Sequence, residues 1–413
     1  MVKGIRPIAG AALLLMALAQ AFPAAGVGEF EIRPVTPLRT PEISCLRRIV
    51  ADDPSASALA AALGKEIADK ALLESVPQPL AVIDYEGLLN TDSRRVATVA
   101  RLRQMDDVAA LVRHWQVTGE AATAATLRQH IEAWAAAYIP TGNDVNENKL
   151  YPLFVAYDAL RPSFPGDARA RVDAWIEQMG FLHAKSVSSA RVLGNRFTKR
   201  LRLLALFGRI LDRSEWRLAA MQGVRRFVRG DLHPDGSSFD LETRDSLTYH
   251  CSALEPVLDI LRLEGAPGEE LYNWVAPEGG SIRASVDFVK PYAQERLVRE
   301  EWRNTKVDLD RRRAAAGIQA YQPGRRFDPR EALPLMELAA FFDSTCLSVV
   351  GGILTVPEPR STTWILIHGE AIREAGSGAS LDAATRAGTP SPTRCSPSGS
   401  RWTCATQLRH LPA

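Results

Sequence analysis

Three polar segments break an otherwise helical sequence, and they hold most of the residues able to do chemistry. The first is Asn143-Asp-Val-Asn-Glu-Asn148, the second Gly194-Asn-Arg-Phe-Thr-Lys-Arg200, and the third runs from Asp235 to His250. Together they offer amides, guanidiniums, a tyrosine and a histidine. That mixture suits an anionic, hydroxyl-rich ligand. Arginine grips a carboxylate in a bidentate fork, and asparagine supplies both a donor and an acceptor. Local roles compete with this reading, because Asn and Asp also cap helices and anchor turns. Asn195 and Lys199 are four residues apart and share a face if a helix begins near Asn195. Arg196, Lys199, Arg200 and Arg202 then crowd its first turns, where positive charge opposes the helix dipole. A carboxylate ligand would relieve that cost, and so would pairing with Asp240, Glu242 or Asp245. Tyr249 follows Arg244 closely. A neighbouring cation favours the phenolate, and such a tyrosine can act as a general acid or base. The rival reading is a core tyrosine bonded to a loop. Glu147, Asp235, Asp240 and Glu242 keep a carboxylate-pair hydrolysis open.

The elements that must position these residues are helices. Ala58 to Ser75, Val96 to Val117 and Ala121 to Tyr138 carry apolar residues at helical spacing, which predicts amphipathic helices with one buried stripe each. Helical patterns resume over 149–161, 168–187, Phe197 to Leu211, Glu215 to Arg229 and Leu247 to Leu263. Helix, short loop, helix, repeated over this length, implies hairpins stacked in series. The expected fold is all-α, an incomplete (α/α) toroid over 29–345, with the polar loops opening at one end. An open solenoid is the alternative, disfavoured by the lack of a fixed repeat. Residues 29–51, with three prolines, read as an extended lead-in. Beyond 264 the chain is richer in Gly, Pro and charge. Asp310 to Gly317 reads as a short helix and Arg330 to Asp343 as another. Ser348 to Pro357 and Thr362 to Ile367 are β-branched and strand-like, within a less regular extension over 346–413.

Composition bounds the setting. Lys3 and Arg6 precede an apolar run from Ile8 to Ala19, followed by small residues around Ala19 and Ala25. That is the layout of a signal peptide over 1–26, which predicts an exported protein, periplasmic or secreted, with no stable membrane insertion. The formal charge is +2, and loss of Lys3 and Arg6 leaves the chain neutral. No global basic field is present to attract nucleic acid. Among five cysteines, Cys395 and Cys404 frame a small Gly/Ser/Pro loop suited to a disulfide in an exported protein. Cys45, Cys251 and Cys346 are left open. No Cys/His cluster has zinc-site spacing.

The motifs NDVNENKLYPLFVAYDALRP (143–162), GNRFTKRLRLLALFG (194–208) and PDGSSFDLETRDSLTYHCSALEPVLDI (234–260) resemble the alginate-lyase-like superfamily of uronate polysaccharide lyases. Weaker similarity continues through 290–317 and 325–343, so the resemblance spans about 55–345. The sequence is similar to glucuronan and alginate lyases in particular. The resemblance implies an (α/α) toroid that cleaves a 4-linked uronate polymer by β-elimination. It implies catalytic roles for Asn195, Arg244, Tyr249 and His250, and places Lys199 where relatives often carry a histidine. It implies substrate binding by Asn146, Glu147, Asn148, Arg196 and Arg200. The implied partner is an acidic polysaccharide, and the route requires no metal or organic cofactor. A glycoside hydrolase on a similar toroid and a non-catalytic polysaccharide-binding protein are the alternatives.

Overall fold

The computed structural model describes Ile32, residues 35–354 and the backbone of Cys395–Ser398 and Arg401–Cys404. Helix α1 (Thr40–Asp52) and α2 (Pro54–Asp69) lead into α3 (Ser93–Leu102), α4 (Gln104–Thr118) and α5 (Ala121–Ala137). A short α6 (Asp144–Glu147) precedes α7 (Tyr151–Leu160) and α8 (Gly166–Ser189). Then come α9 (Asn195–Ile210), α10 (Ser214–Asp231), α11 (Phe239–Arg244), α12 (Leu247–Glu264), α13 (Ala266–Asn273) and α14 (Ile282–Ala293). Strands β1 (Glu300–Glu301) and β2 (Arg325–Arg326) pair antiparallel around α15 (Asp308–Ala315). Helices α16 (Leu333–Ala339) and α17 (Cys346–Ile353) follow. The strands β3 (Cys395–Ser398) and β4 (Arg401–Cys404) form a second ribbon, with Cys395 opposite Cys404.

The helices pack as two concentric rows. Inner helices meet in the series α4, α7, α9, α12 and α16, and outer helices in the series α5, α8, α10. Each hairpin contributes one helix to each row. Burial follows the rows. Eleven of the sixteen residues of α9 are buried, against eight of the eighteen of α10. A helix covered on nearly all sides must be apolar nearly all round, and the run Leu203-Leu-Ala-Leu-Phe207 in α9 is just that. Close helix approach needs small residues at the crossings. A Cβ on Gly223 of α10 would lie 2.3 Å from the Leu201 side chain of α9, so this contact admits only glycine without repacking. No helix among the described residues is long and apolar enough to cross a membrane.

The hairpin array is therefore the one the hydrophobic pattern predicts, and several local expectations are corrected. The lead-in is helical from Thr40, where Pro41 sits in the first turn and Glu42 bonds back to the Arg39 backbone, an arrangement that starts helices. The single helix expected over Val96 to Val117 is broken at Arg103. The β-branched stretch at Ser348 lies in α17 rather than in a strand, because packing overrides local β preference. Thr362 to Ile367 and the signal-like residues 1–26 lie outside the described residues.

Candidate active site

The inner helices α7, α9 and α12 begin at one end of the array, and the polar segments gather there. Asn195 opens α9 after Gly194. Its backbone N–H donates to Asp240 Oδ2 at 2.5 Å. Gly194 is required by this contact, since a Cβ there would lie 2.7 Å from the same carboxylate oxygen. Asn195 is 6% exposed, yet its side-chain amide makes no hydrogen bond among the described residues. Its backbone is fixed while its amide is left uncommitted. Burial pushes the Asp240 carboxyl above its usual value, against the Asn195 N–H and the charges of Arg244 and Lys199. Lys199, half-buried one turn along α9, also acts on the half-buried Glu255 of α12.

Helix α11 ends at Arg244, and Asp245, with φ 52°, turns the chain sharply into α12. The side chain of Asp245 is braced by Arg299 at 2.9 Å and by the Asn304 N–H at 2.9 Å. This turn places the Arg244 guanidinium 3.9 Å from the centre of the Tyr249 ring. Arg244 Nη1 donates to both oxygens of Asp310, at 2.7 and 2.8 Å. Nε and Nη2 are then the donors available for an incoming carboxylate. Ser246 caps α12 by accepting the Tyr249 N–H at 3.3 Å and donates to Glu301 at 2.9 Å. Tyr249 itself is half-buried, with its ring edge-on to Trp302 at 5.7 Å. Its hydroxyl lies 3.3 Å from that of Tyr321 and 3.5 Å from Arg313 Nη1.

Asn195, Lys199, Arg244 and Tyr249 are thus joined through Asp240 into one constellation, and the other expected residues stand apart from it. His250 is fully buried. On a helix, adjacent residues point about 100° apart, so Tyr249 faces the site while His250 faces the core. Its Nε2–H donates to the Ser285 carbonyl at 3.2 Å, Nδ1 accepts from Ser238 at 2.7 Å, and burial pulls its pKa down to about 4. It is a neutral structural histidine. Asn146 spends its amide on the Ile83 carbonyl and the Glu86 N–H. Glu147 is buried, accepting from Tyr138, Thr141 and the Gly142 N–H and pairing with His183 at 2.5 Å. Burial alone would raise its pKa, but these donors hold it below the usual range. Asn148 bridges the Asp144 carbonyl and Arg202. Arg196 and Arg200 both converge on the buried Asp144. The crowded positive charge at the start of α9 is met by Asp144, a partner the sequence did not suggest. Asn146, Glu147 and Asn148 thus belong to the wall beside α9, and Arg196 and Arg200 tie that wall to the first turns of α9.

The remaining site residues come from the flap between β1 and β2. Trp302, Asp310, Arg313 and Tyr321 carry no motif of their own; the weak similarity over 290–317 covers the first three, and Tyr321 lies outside it. The flap is tied down by backbone bonds from Trp302 to Asp245 and from Lys306 to Thr243, both 2.8 Å. Elsewhere, Cys45 is disulfide-bonded and Cys251 and Cys346 are free, buried thiols. The expected Cys395–Cys404 pair involves side chains that lie outside the described residues.

The alginate lyase family model matches residues 52–298, more than half of the chain. The chain belongs to the alginate lyase family. Membership makes it a polysaccharide lyase of the kind that acts on uronate polymers by β-elimination. Solved structures agree on the fold. An alginate lyase from Bacteroides ovatus is 14% identical with a TM-score of 0.56, covering 79% of this chain and 97% of that one. Alginate lyase A1-III from Sphingomonas species A1 is 19% identical with a TM-score of 0.53, covering 71% and 86%. A variant of A1-III complexed with tetrasaccharide is 19% identical with a TM-score of 0.52, covering 71% and 85%. At these identities the likeness establishes the toroid-like fold alone. No curated protein matches the chain.

Proposed function

We propose that this alginate lyase family member cleaves a 4-linked uronate polymer, glucuronan or alginate-like, with Tyr249 as the proton-transfer residue. The observation that carries the proposal is Arg244, stacked on the Tyr249 ring at 3.9 Å, beside an Asn195 whose backbone is pinned by Asp240. The C5 hydrogen of a uronate is weakly acidic because the adjacent carboxylate is already negative. Donors aimed at that carboxylate stabilise the charge that develops as the proton leaves. Asn195 supplies an amide, and Arg244 or Lys199 supplies positive charge. The Tyr249 phenolate takes the C5 proton. The released electron pair forms the C4=C5 double bond as the C4–O4 bond breaks, and O4 takes up a proton. When hydrogen and leaving group share a face, Tyr249 returns that proton; when they are opposed, Lys199 gives it. His250, being buried, takes no part. The signal-like N-terminus supports an exported setting, periplasmic or secreted, where such polymers are met.

The test uses the mature protein with alginate blocks, glucuronan, hyaluronan and pectate, following double-bond absorbance and chain length together. Shortening with new absorbance is expected on at least one polymer. Shortening without absorbance means hydrolysis, and saturable binding without shortening means a binding protein. Tyr249→Phe is expected to lower kcat by roughly 10²–10⁴-fold, the usual weight of general acid–base catalysis. An unchanged kcat removes Tyr249 from the role.

A further inference from the structure

We infer that Asp245, the left-handed residue between α11 and α12, and Asp310, on the flap between β1 and β2, are positioning residues that hold Arg244 against Tyr249. The inference rests on the lyase reading above and makes the flap part of the machinery: both carboxylates act through Arg244 and Tyr249 rather than on the substrate.

The turn between the two helices carries the argument. Arg244 ends α11 and Leu247 begins α12, so Asp245 and Ser246 alone redirect the chain. Asp245 does this at φ 52° and ψ 45°. A residue with a Cβ rarely adopts that conformation; after glycine, Asn and Asp enter it most readily, because their short polar groups can bond locally. Three acceptors of Asp245 are bound by the flap. Its carbonyl accepts the Trp302 N–H at 2.8 Å. Oδ1 accepts from Arg299 Nη2 at 2.9 Å, and Oδ2 from the Asn304 N–H at 2.9 Å. The Lys306 N–H donates to the Thr243 carbonyl at 2.8 Å, so the flap is fastened on both sides of Arg244.

The grip is returned by Asp310. Arg244 Nη1 donates to both of its oxygens, and Thr305 donates to Oδ2 at 3.2 Å. The carboxylate of the turn thus holds the flap, and the carboxylate of the flap holds the arginine of the turn. Asp310 is 1% exposed and the Arg244 side chain 17%, so water competes little for this contact. Trp302 closes the arrangement: its backbone bonds Asp245, and its ring stands edge-on to Tyr249 at 5.7 Å. The flap therefore touches both members of the pair, whose guanidinium and ring centre are 3.9 Å apart. An arginine stem is long and flexible. Fixing its head before the substrate arrives leaves less to be ordered as the reaction proceeds, and a misplacement of about one ångström can cost about 10²-fold in rate.

The experiment compares wild type with Asp245→Asn, Asp245→Gly, Asp245→Ala and Asp310→Asn on whichever polymer the wild type cleaves. Asparagine keeps both the left-handed preference and an acceptor, glycine keeps only the conformation, and alanine keeps neither. Asp245→Ala is expected to lower kcat roughly 10²-fold and leave KM within about threefold. Asp245→Gly should recover about tenfold of that loss, and Asp245→Asn more. Asp310→Asn has the same shape with a weaker acceptor and is expected to lose roughly tenfold in kcat. Hydrogen exchange of the Trp302, Asn304 and Lys306 amides needs no substrate, and these amides should exchange about tenfold faster in Asp245→Ala than in wild type. Equal kcat in Asp245→Gly and Asp245→Ala, or wild-type exchange in Asp245→Ala, overturns the inference. A wild type that makes no unsaturated ends on any uronate polymer sinks the lyase reading instead, and the exchange rates then still decide whether the flap holds the turn. Should Asp245→Ala melt early, Asp310→Asn carries the test, because a wild-type kcat there overturns the inference as well.

Discussion

The contact between Gly194 and Asp240 lets one methyl group test how the site is held. Gly194 has φ −69° and ψ −159°, an extended conformation open to any L-residue, so Gly194→Ala introduces no backbone strain. Its whole effect is spatial. The new Cβ would stand 2.7 and 2.8 Å from the two Asp240 oxygens. Ordinary contact starts near 3.4 Å, so one partner must shift by about 0.7 Å. Asp240 is buried and cannot swing into water. Overpacking of this kind costs about 1–3 kcal/mol, and weakening the short bond to the Asn195 N–H adds a fraction of the 1.5–3 kcal/mol that a charged acceptor is worth. A total of about 2 kcal/mol is expected by urea denaturation. The Asn195 amide moves with its backbone, and a displacement of about half an ångström lowers kcat roughly tenfold, given about 10²-fold for a full ångström. The decisive assay is a double-mutant cycle with Asp240→Ala. Removing the carboxylate removes the clash, so the methyl should become nearly silent and the two changes should couple by about 1–2 kcal/mol. Strict additivity, or a Gly194→Ala protein within about 0.5 kcal/mol of wild type, refutes the argument.

Two further outcomes follow from buried charge and buried histidine. His250 has its pKa pulled down to about 4 by burial, below the 6.5 of an unfolded histidine. The unfolded chain binds the extra proton first, so stability falls as pH drops from about 6.5 toward 4 and is fully present above that window. The loss is on the order of 3 kcal/mol, and denaturation midpoints of His250→Gln should depend less on pH across that range than those of wild type. Arg262 and Glu42 form a buried pair at 2.9 Å that ties α12 to α1. Arg262→Met leaves the Glu42 carboxylate with Arg39 as its remaining charged partner and is expected to cost about 3 kcal/mol. Adding Glu42→Gln should recover part of that; a further loss would contradict the reasoning.

The hydrophobic pattern alone called for the helical hairpins, and the polar motifs pointed to the end of the array where the candidate site lies. Both are properties of local patterning. A stripe every three to four residues compels a helix to find a neighbour, and polar segments at regular intervals along such an array must emerge together. The residues Asn195, Arg244 and Tyr249 were legible because they sit in compact motifs. Which polar side chains are spent on the fold and which are left for a ligand was not legible. Asn146, Asn148 and Asn195 look alike in the chain, and only the structure shows the first two bonded to carbonyls and an arginine while the third keeps its amide uncommitted. Tyr249 and His250 are neighbours in sequence and lie on different sides of α12. The flap residues Arg313 and Tyr321 reach Tyr249 from 64 and 72 positions away. Hydrogen bonds are satisfied by proximity in space, and a chain that folds back on itself makes that proximity independent of spacing in sequence. The pattern of residues therefore chose the scaffold, and the packing of distant segments chose which groups line the candidate site.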